Sequence, residues 1–285
     1  MRVDSASITD TGRKRPHNED YVIAWVPDDP AEIDRSGSLF IVADGVGGGA
    51  AGEVASQYAA EKVCYAYYSA QEPDFETRLV TAITEANRDI HRYNDAHPEQ
   101  REMGTTIVVA IVRDSALLVA NVGDSRAYLV CAGAIEQITS DHNVVAHMLA
   151  RGEINAEQAA THPLRSRLTR SLGVDDEVGV DVFEHTLQPH DTVILCSDGL
   201  TRHVHDDEIG QAVVQGNPAD AARELVELAK QRGGLDNISV IVIRILSDQE
   251  QTKKPVRRSL SAPDLDTTFQ MTVKKPRWRW PFKRL

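Results

Sequence analysis

The sequence predicts an α+β fold in which antiparallel sheets pack on each other and are covered by helices. Short β-branched runs recur along the chain, and Thr105 to Arg113 and Leu117 to Val122 flank a polar turn typical of a hairpin. A parallel fold would alternate single strands with single helices, whereas here the helical patterns come in pairs, which favours helix pairs on the outer faces of sheets. The pairs are 51–69 with 75–95 and 206–214 with 219–230.

The chain has 285 residues and a formal net charge of −12, and this charge is unevenly distributed. Residues 1–247 carry −18, whereas residues 248–285 carry +6. The apolar periodicity stops after Leu246, so we expect a folded domain at 1–247 followed by a basic tail at 248–285. The acidic charge of the domain argues against nucleic-acid binding.

The composition predicts a cytoplasmic protein. The N-terminus lacks the apolar core of a secretory signal, and no run of 18 apolar residues is long enough to span a membrane. Cys64, Cys131 and Cys196 are odd in number and lie in apolar patterns, as buried reduced thiols do.

The first candidate functional segment joins basic and acidic residues in front of an apolar strand. Arg15 is followed by Asn18, Glu19 and Asp20, and the strand begins at once. One interpretation is a charged turn before a hairpin. In the other, Arg15 grips an anion while Glu19 and Asp20 order metal-bound water. Pro27 to Gly37 then predicts a polar loop.

The segment from Leu39 to Glu53 predicts a strand, a glycine-rich turn and the start of a helix. Either its glycines cradle a phosphate or Asp44, at the end of the strand, holds a metal ion. Gly47 to Gly52 matches a dinucleotide fingerprint, but that fold needs a second parallel strand about 30 residues on. A second helix follows here instead, so the metal interpretation is favoured.

Other acidic residues stand at predicted strand ends. Asp198 and Asp236 lie beside Gly199 and Asn237, much as Asp44 lies beside a glycine. Three such carboxylates and the Asn-Glu-Asp triplet predict an oxygen-ligand site for Mg²⁺ or Mn²⁺. Asp124 is a further candidate, for which a turn residue capping its own backbone is the simpler interpretation. The irregular helical segment 139–173 predicts a flap beside these strands.

At this point the chain resembles the PPM (type 2C) family of metal-dependent serine/threonine protein phosphatases, in its bacterial branch. The resemblance covers about residues 5–246, and its motifs run in family order. They are Arg15 to Asp20, Val42 to Gly48, Gly104 to Thr106, Val122 to Arg126, His162 to Gly173, Ser197 to Leu200, and Asp236 to Asn237.

The resemblance implies a four-layer αββα sandwich with two Mn²⁺ or Mg²⁺ ions between the sheets. It also implies phosphoprotein substrates and a cognate serine/threonine kinase. Asp44 would bridge both ions, and the Gly45 carbonyl would bind one of them. Asp198 and Asp236 would bind the other ion, and Asp198 would share a third with Asp124 and Ser166. Glu19 and Asp20 would hold metal-bound water, and Arg15 would hold the phosphoryl group.

The chain departs from the family pattern at two positions near Asp44. Val46 and Gly49 stand where some relatives have a histidine, so another group must protonate the leaving oxygen. His17, His142 and His162 are each expected to be structural rather than catalytic. A catalytically weak or dead binding module is the alternative function, although none of the core acids is missing.

The tail at 248–285 has two features beyond a disordered, solvated segment. Thr267 and Thr268 follow two acidic residues and resemble a kinase site. Lys274 to Leu285 interleaves cations with Trp278 and Trp280, a composition suited to an anionic membrane surface or an acidic partner. The same segment could instead dock on the acidic domain. We expect an electrostatic anchor that takes no part in catalysis.

Overall fold

The computed structural model describes residues 2–48, 50–99, 103–214 and 216–247. Its helices are α1 (Pro30–Ser36), α2 (Ala50–Ser69), α3 (Phe75–Ala96), α4 (Val144–Ala150), α5 (Ala156–Thr161), α6 (Asp198–Thr201), α7 (Asp206–Val214) and α8 (Pro218–Gln231). Its strands are β1 (Val3–Asp10), β2 (Asp20–Trp25), β3 (Ser38–Val46), β4 (Gly104–Thr105), β5 (Ile107–Arg113), β6 (Ala116–Val122), β7 (Arg126–Cys131), β8 (Ala134–Gln137), β9 (Asp181–Thr186), β10 (Thr192–Cys196) and β11 (Ile238–Ile245).

The strands form two antiparallel sheets. One sheet has the order β1-β11-β10-β7-β8, and the other has the order β2-β3-β5-β6-β9 with β4 paired to β3. The strand that precedes the glycine turn, β3, runs antiparallel to both of its long neighbours. A dinucleotide-binding fold requires parallel neighbours at this point, so the structure excludes that interpretation.

The two sheets pack face to face, and alternation along the strands produces both buried faces. In β11, Ile241 and Ile243 join Val193 and Leu195 of β10 in the core between the sheets. The intervening residues of β11, such as Val242, pack on the other side against α7 and α8. Burial on both faces explains why these strands are continuous apolar runs in the sequence.

Helix pairs complete the sandwich. Helices α2 and α3 pack against the sheet that contains β3, and α7 and α8 pack against the sheet that contains β11. The predicted four-layer αββα arrangement is therefore confirmed. Within the described residues, none of the helices combines the length and hydrophobicity that crossing a bilayer requires.

Some local predictions were wrong. The expected loop 27–37 contains α1, which Asp29 caps by accepting a hydrogen bond from Ala31 N and which Pro30 begins. The single strand expected at 105–113 is broken at Thr106, whose N–H donates to the Asp44 carbonyl. The predicted tail at 248–285 lies outside the described residues.

The cysteines agree with the sequence prediction at two of the three positions. Cys64 and Cys196 are buried, Cys131 is half-buried, and all three are free thiols. Burial raises the pKa of the Cys64 and Cys196 thiols to about 12, which keeps them protonated and unreactive.

Candidate functional site

Asp20 and Asp44 face each other at one end of the β2–β3 pair. The two residues are direct cross-strand partners in that register. The Asp20 side chain is buried, and its Oδ2 accepts hydrogen bonds of 2.7 Å from Ser197 Oγ and from Ser239 Oγ. Ser239 lies in β11 and Ser197 directly follows β10, so Asp20 connects its own sheet to the other sheet where the candidate site begins.

Asp198 and Asp236 flank two neighbouring strands of the other sheet. Asp198 begins α6 directly after β10, and Asp236 precedes β11, which pairs with β10. The turn before α6 lies so close to β11 that a Cβ at Gly199 would be 1.9 Å from the Asn237 carbonyl oxygen. Glycine at 199 therefore allows Asp198 to approach Asp236.

Five carboxylates lie close enough together to repel one another, and we call them the carboxylate cluster: Asp20, Asp44, Asp124, Asp198 and Asp236. Burial raises the pKa of Asp44 well above its usual range, and Asp20, Asp198, Asp124 and Asp236 raise it further. Burial also raises the pKa of Asp20 and of Asp124 to about 7, with a further contribution from Asp198 in each case. Such a cluster is stabilised by a cation.

Two arginines contact this cluster. Arg15 makes a two-point contact with Asp236, from Nε to Oδ1 at 2.8 Å and from Nη2 to Oδ2 at 2.9 Å. Arg202 donates from Nη1 to Asp236 Oδ2 at 2.9 Å and from Nη2 to Asp198 Oδ2. The sequence analysis singled out Arg15 as an anion grip but missed Arg202, whose contact with Asp236 spans 34 residues.

The residue types at the site fit a hard cation. Asp20 Oδ1 and Asp198 Oδ1 are buried and accept no hydrogen bond from the described residues. Carboxylate oxygens are the ligands that Mg²⁺ and Mn²⁺ prefer. In the described parts of the chain, however, no three Asp, Glu, His or Cys side chains form a group ready to hold an ion. The guanidinium groups of Arg15 and Arg202 contact Asp198 and Asp236 instead. The arginine side chains must therefore move before both aspartates can bind a metal.

Glu19 lies between the glycine turn and helix α2. Its carbonyl accepts from Gly45 N at 3.0 Å and from Ser56 Oγ at 2.6 Å. A Cβ at Gly52 would lie 2.1 Å from Glu19 Oε2, and one at Gly45 would lie 2.2 Å from the Gly52 carbonyl oxygen. These two glycines therefore permit close packing of the helix on the turn.

Asn237 anchors the segment that carries Arg15 and Glu19. Its buried side chain accepts a hydrogen bond from Glu19 N at 2.9 Å and donates to the carbonyls of Thr11 and His17 at 3.0 and 2.8 Å. Asn237 belongs to a motif identified in the sequence, but its positioning role becomes visible only in these contacts.

Asp124 is buried beside the predicted flap. It accepts from Asn143 Nδ2 at 3.4 Å, and the adjacent Ser125 hydroxyl shares a 2.7 Å hydrogen bond with Thr106 Oγ1. Ser166 is exposed and accepts from Arg202 Nη2 at 3.0 Å. The structure thus places Asp124 within the carboxylate cluster, and it connects Ser166 to that cluster through Arg202.

The contacts of His142 and His162 are those of structural residues. The buried His142 accepts from Gly123 N at 3.0 Å through Nδ1, so its Nε2 carries the proton and donates to Asp181 at 3.1 Å. Burial lowers the pKa of His142. His162 Nδ1 accepts from Leu164 N within the flap. The flap itself contains the short helices α4 and α5.

Two family models match the chain. Protein phosphatase 2C matches residues 18–147, and Stage II sporulation protein E (SpoIIE) matches residues 142–246. The first match contains Asp20, Asp44 and Asp124, and the second contains Asp198 and Asp236. Together the two matches include every carboxylate of the cluster.

Individual relatives align over most of the chain. A serine/threonine phosphatase, stp, from Listeria monocytogenes is 40% identical over 242 residues, covering 82% of this chain and 93% of its own. The crystal structure of Stp1 from Staphylococcus aureus is 35% identical with a TM-score of 0.80, covering 87% and 96% of the two chains. The catalytic domain of PstP in complex with two manganese ions is 32% identical with a TM-score of 0.75, covering 86% and 99%. The chain belongs to the protein phosphatase 2C family, which confirms the resemblance found in the sequence.

Proposed function

We propose that this protein hydrolyses phosphoserine and phosphothreonine monoesters in phosphoproteins, using Mn²⁺ or Mg²⁺. The observation that carries the proposal is the carboxylate cluster formed where the two sheets meet, in which Asp20 and Asp124 are buried and Asp44, Asp198 and Asp236 are half-buried. The names of the similar serine/threonine phosphatases, and the two manganese ions in one similar structure, support the substrate class and the metal.

The proposed metal ligands are those implied by the family resemblance. Asp44 would bridge two ions, the Gly45 carbonyl would bind one, and Asp198 and Asp236 would bind the other. Asp198 would share a third ion with Asp124 and Ser166. When bound, paired divalent ions lower the pKa of a water and neutralise charge on the phosphoryl oxygens.

The remaining residues would bind and orient the substrate. The Arg15 side chain is 43% exposed, so its guanidinium can turn from Asp236 to a phosphoryl group and donate charge-assisted hydrogen bonds. Asp20 is held by Ser197 and Ser239, which leaves its Oδ1 to accept a hydrogen bond from water. Glu19 would orient water beside it. Val46 is exposed, but its side chain has no acidic proton to donate to the leaving oxygen.

The partners of the enzyme follow from the same proposal. A protein phosphatase acts on phosphoproteins, and a cognate serine/threonine kinase would phosphorylate them. We assign catalysis to residues 1–247. The basic tail at 248–285 would attach this cytoplasmic domain to an anionic membrane surface or to an acidic partner.

The test is turnover of p-nitrophenyl phosphate and of a phosphothreonine peptide, with Mn²⁺ and with EDTA. We expect EDTA to abolish both activities and Asp44→Asn to reduce both by at least about a hundredfold, because it removes a charge from the site that stabilises the reaction. Asp114→Asn is the matched control, since this side chain is 67% exposed in the β5–β6 turn. Absence of turnover in the wild type, or full activity of Asp44→Asn, would overturn the proposal.

A further inference from the structure

Arg202 occupies an unusual position for an arginine beside two expected metal ligands. It ends the short helix α6, and its backbone N–H donates to the Asp198 carbonyl at 2.9 Å. This single turn brings its guanidinium back over Asp198, where Nη2 contacts Oδ2, while Nη1 reaches Asp236 Oδ2 at 2.9 Å. Only 20% of the Arg202 side chain is exposed.

The contacts of Arg202 neutralise the carboxylates that a metal ion would need. Asp236 repels the Asp198 carboxylate, and Arg202 offsets that repulsion by contacting both side chains from a partly buried position. A divalent ion bound to the same carboxylate oxygens would lie next to the guanidinium group. Since two cations repel each other at short range, a metal ion and the guanidinium compete for Asp198 Oδ2 and Asp236 Oδ2.

We propose that Arg202 is an internal counter-ion that competes with metal for Asp198 and Asp236 and so sets the metal affinity of the enzyme. The metal-free fold is stabilised by the Arg202 contacts, and metal binding requires the guanidinium to leave them. Ser166 Oγ, 3.0 Å from Nη2, accepts a further hydrogen bond from Arg202 in this metal-free arrangement. This inference rests on the proposed function, because it assumes that Asp198 and Asp236 bind metal.

The test compares Mn²⁺ binding to EDTA-stripped protein by calorimetry, for the wild type, Arg202→Met and Arg202→Lys. We expect Arg202→Met to bind Mn²⁺ about tenfold more tightly or better, a difference of about 1.4 kcal/mol. Arg202→Lys should fall between the two, because a lysine keeps the charge but cannot bridge both carboxylates with a planar fork. The metal-free Arg202→Met protein should also melt at a lower temperature than the wild type.

A matched control separates local competition from a general change of charge. Arg223 on α8 pairs with Asp220 at the surface, and its side chain is 62% exposed. Arg223→Met removes the same charge and should leave both Mn²⁺ affinity and melting temperature unchanged. If Arg202→Met does not fold, Arg202→Lys still tests the order of affinities.

The possible failures are distinguishable. A wild-type protein that binds no Mn²⁺ would contradict the proposed function itself. A wild type that binds Mn²⁺, with Arg202→Met and Arg202→Lys binding equally or more weakly, would overturn the role of Arg202 alone. Tightening of similar size in Arg223→Met would also overturn it, because net charge would then explain the effect.

Discussion

Replacing Asn237 by aspartate should destabilise the fold and displace the segment that carries Arg15 and Glu19. The change preserves size and keeps an acceptor for Glu19 N, but it removes both hydrogen bonds donated to the Thr11 and His17 carbonyls. Each lost hydrogen bond costs about 0.5–1.5 kcal/mol, and the buried carbonyls left unpaired add to that cost. We therefore expect the free energy of unfolding to fall by about 3 kcal/mol.

Thermal and urea unfolding measure this effect. In a domain of this size, about 3 kcal/mol corresponds to a fall in melting temperature of roughly 6–12 °C. Activity on a phosphopeptide should fall as well, because Arg15 and Glu19 lose their anchor. The matched control is Asn155→Asp, since Asn155 caps α5 at the surface through its side-chain oxygen alone, a role that aspartate fills equally well. An Asn237→Asp protein that melts within about 1 °C of the wild type would refute the reasoning.

Three further predictions concern the same cluster. Arg15→Ala should lower kcat/KM on a phosphopeptide by roughly 10- to 150-fold, the equivalent of about 1.5–3 kcal/mol for a charge-assisted contact, and unchanged kinetics would assign Arg15 to a structural turn. Millimolar Mn²⁺ should raise the melting temperature, since a ligand at about 100 times its Kd adds roughly 2.7 kcal/mol, and no shift would contradict a native metal centre. Metal-free protein should be less stable at pH 8 than at pH 5.5. The pKa of Asp20 and Asp124 is about 7 in the folded state, above the unfolded value, so the folded state binds more protons than the unfolded state. The stability that this proton binding contributes is lost as the pH rises through 7. A melting temperature in EDTA that is equal or higher at pH 8 would contradict this.

Apolar strands next to an acidic residue were the most predictable part of the fold. The apolar runs before Asp44 and Asp198 and after Asp236 are buried on both faces, and they are β3, β10 and β11. By contrast, β1 and β9 were not predicted, because their residues are mostly half-buried and carry Ser, Thr, Asp or Glu without a clear alternation. Tertiary pairing, rather than local pattern, determines these two strands.

The candidate site was predictable in its acids but not in its cations or anchors. A carboxylate next to a glycine or an asparagine, beside an apolar strand, carries a local signal, which identified Asp44, Asp198 and Asp236. Arg202 lies four residues after Asp198, a spacing common among surface ion pairs. Only the fold shows that its guanidinium also reaches Asp236, and likewise that Asn237 holds a segment more than 200 residues earlier.

The pairing of β1 with β11 has a consequence for the order in which the protein can form during synthesis. Val3 pairs with Ile245 and Asp10 with Ile238, so this sheet remains open until nearly the whole domain has left the ribosome. Asp20 and Asp44 are synthesised early, but Asp198 and Asp236 are among the last residues of the domain. A nascent chain therefore carries half of the site for most of its synthesis. Contacts of such long sequence separation close slowly, so the cluster is assembled in one of the last steps of folding.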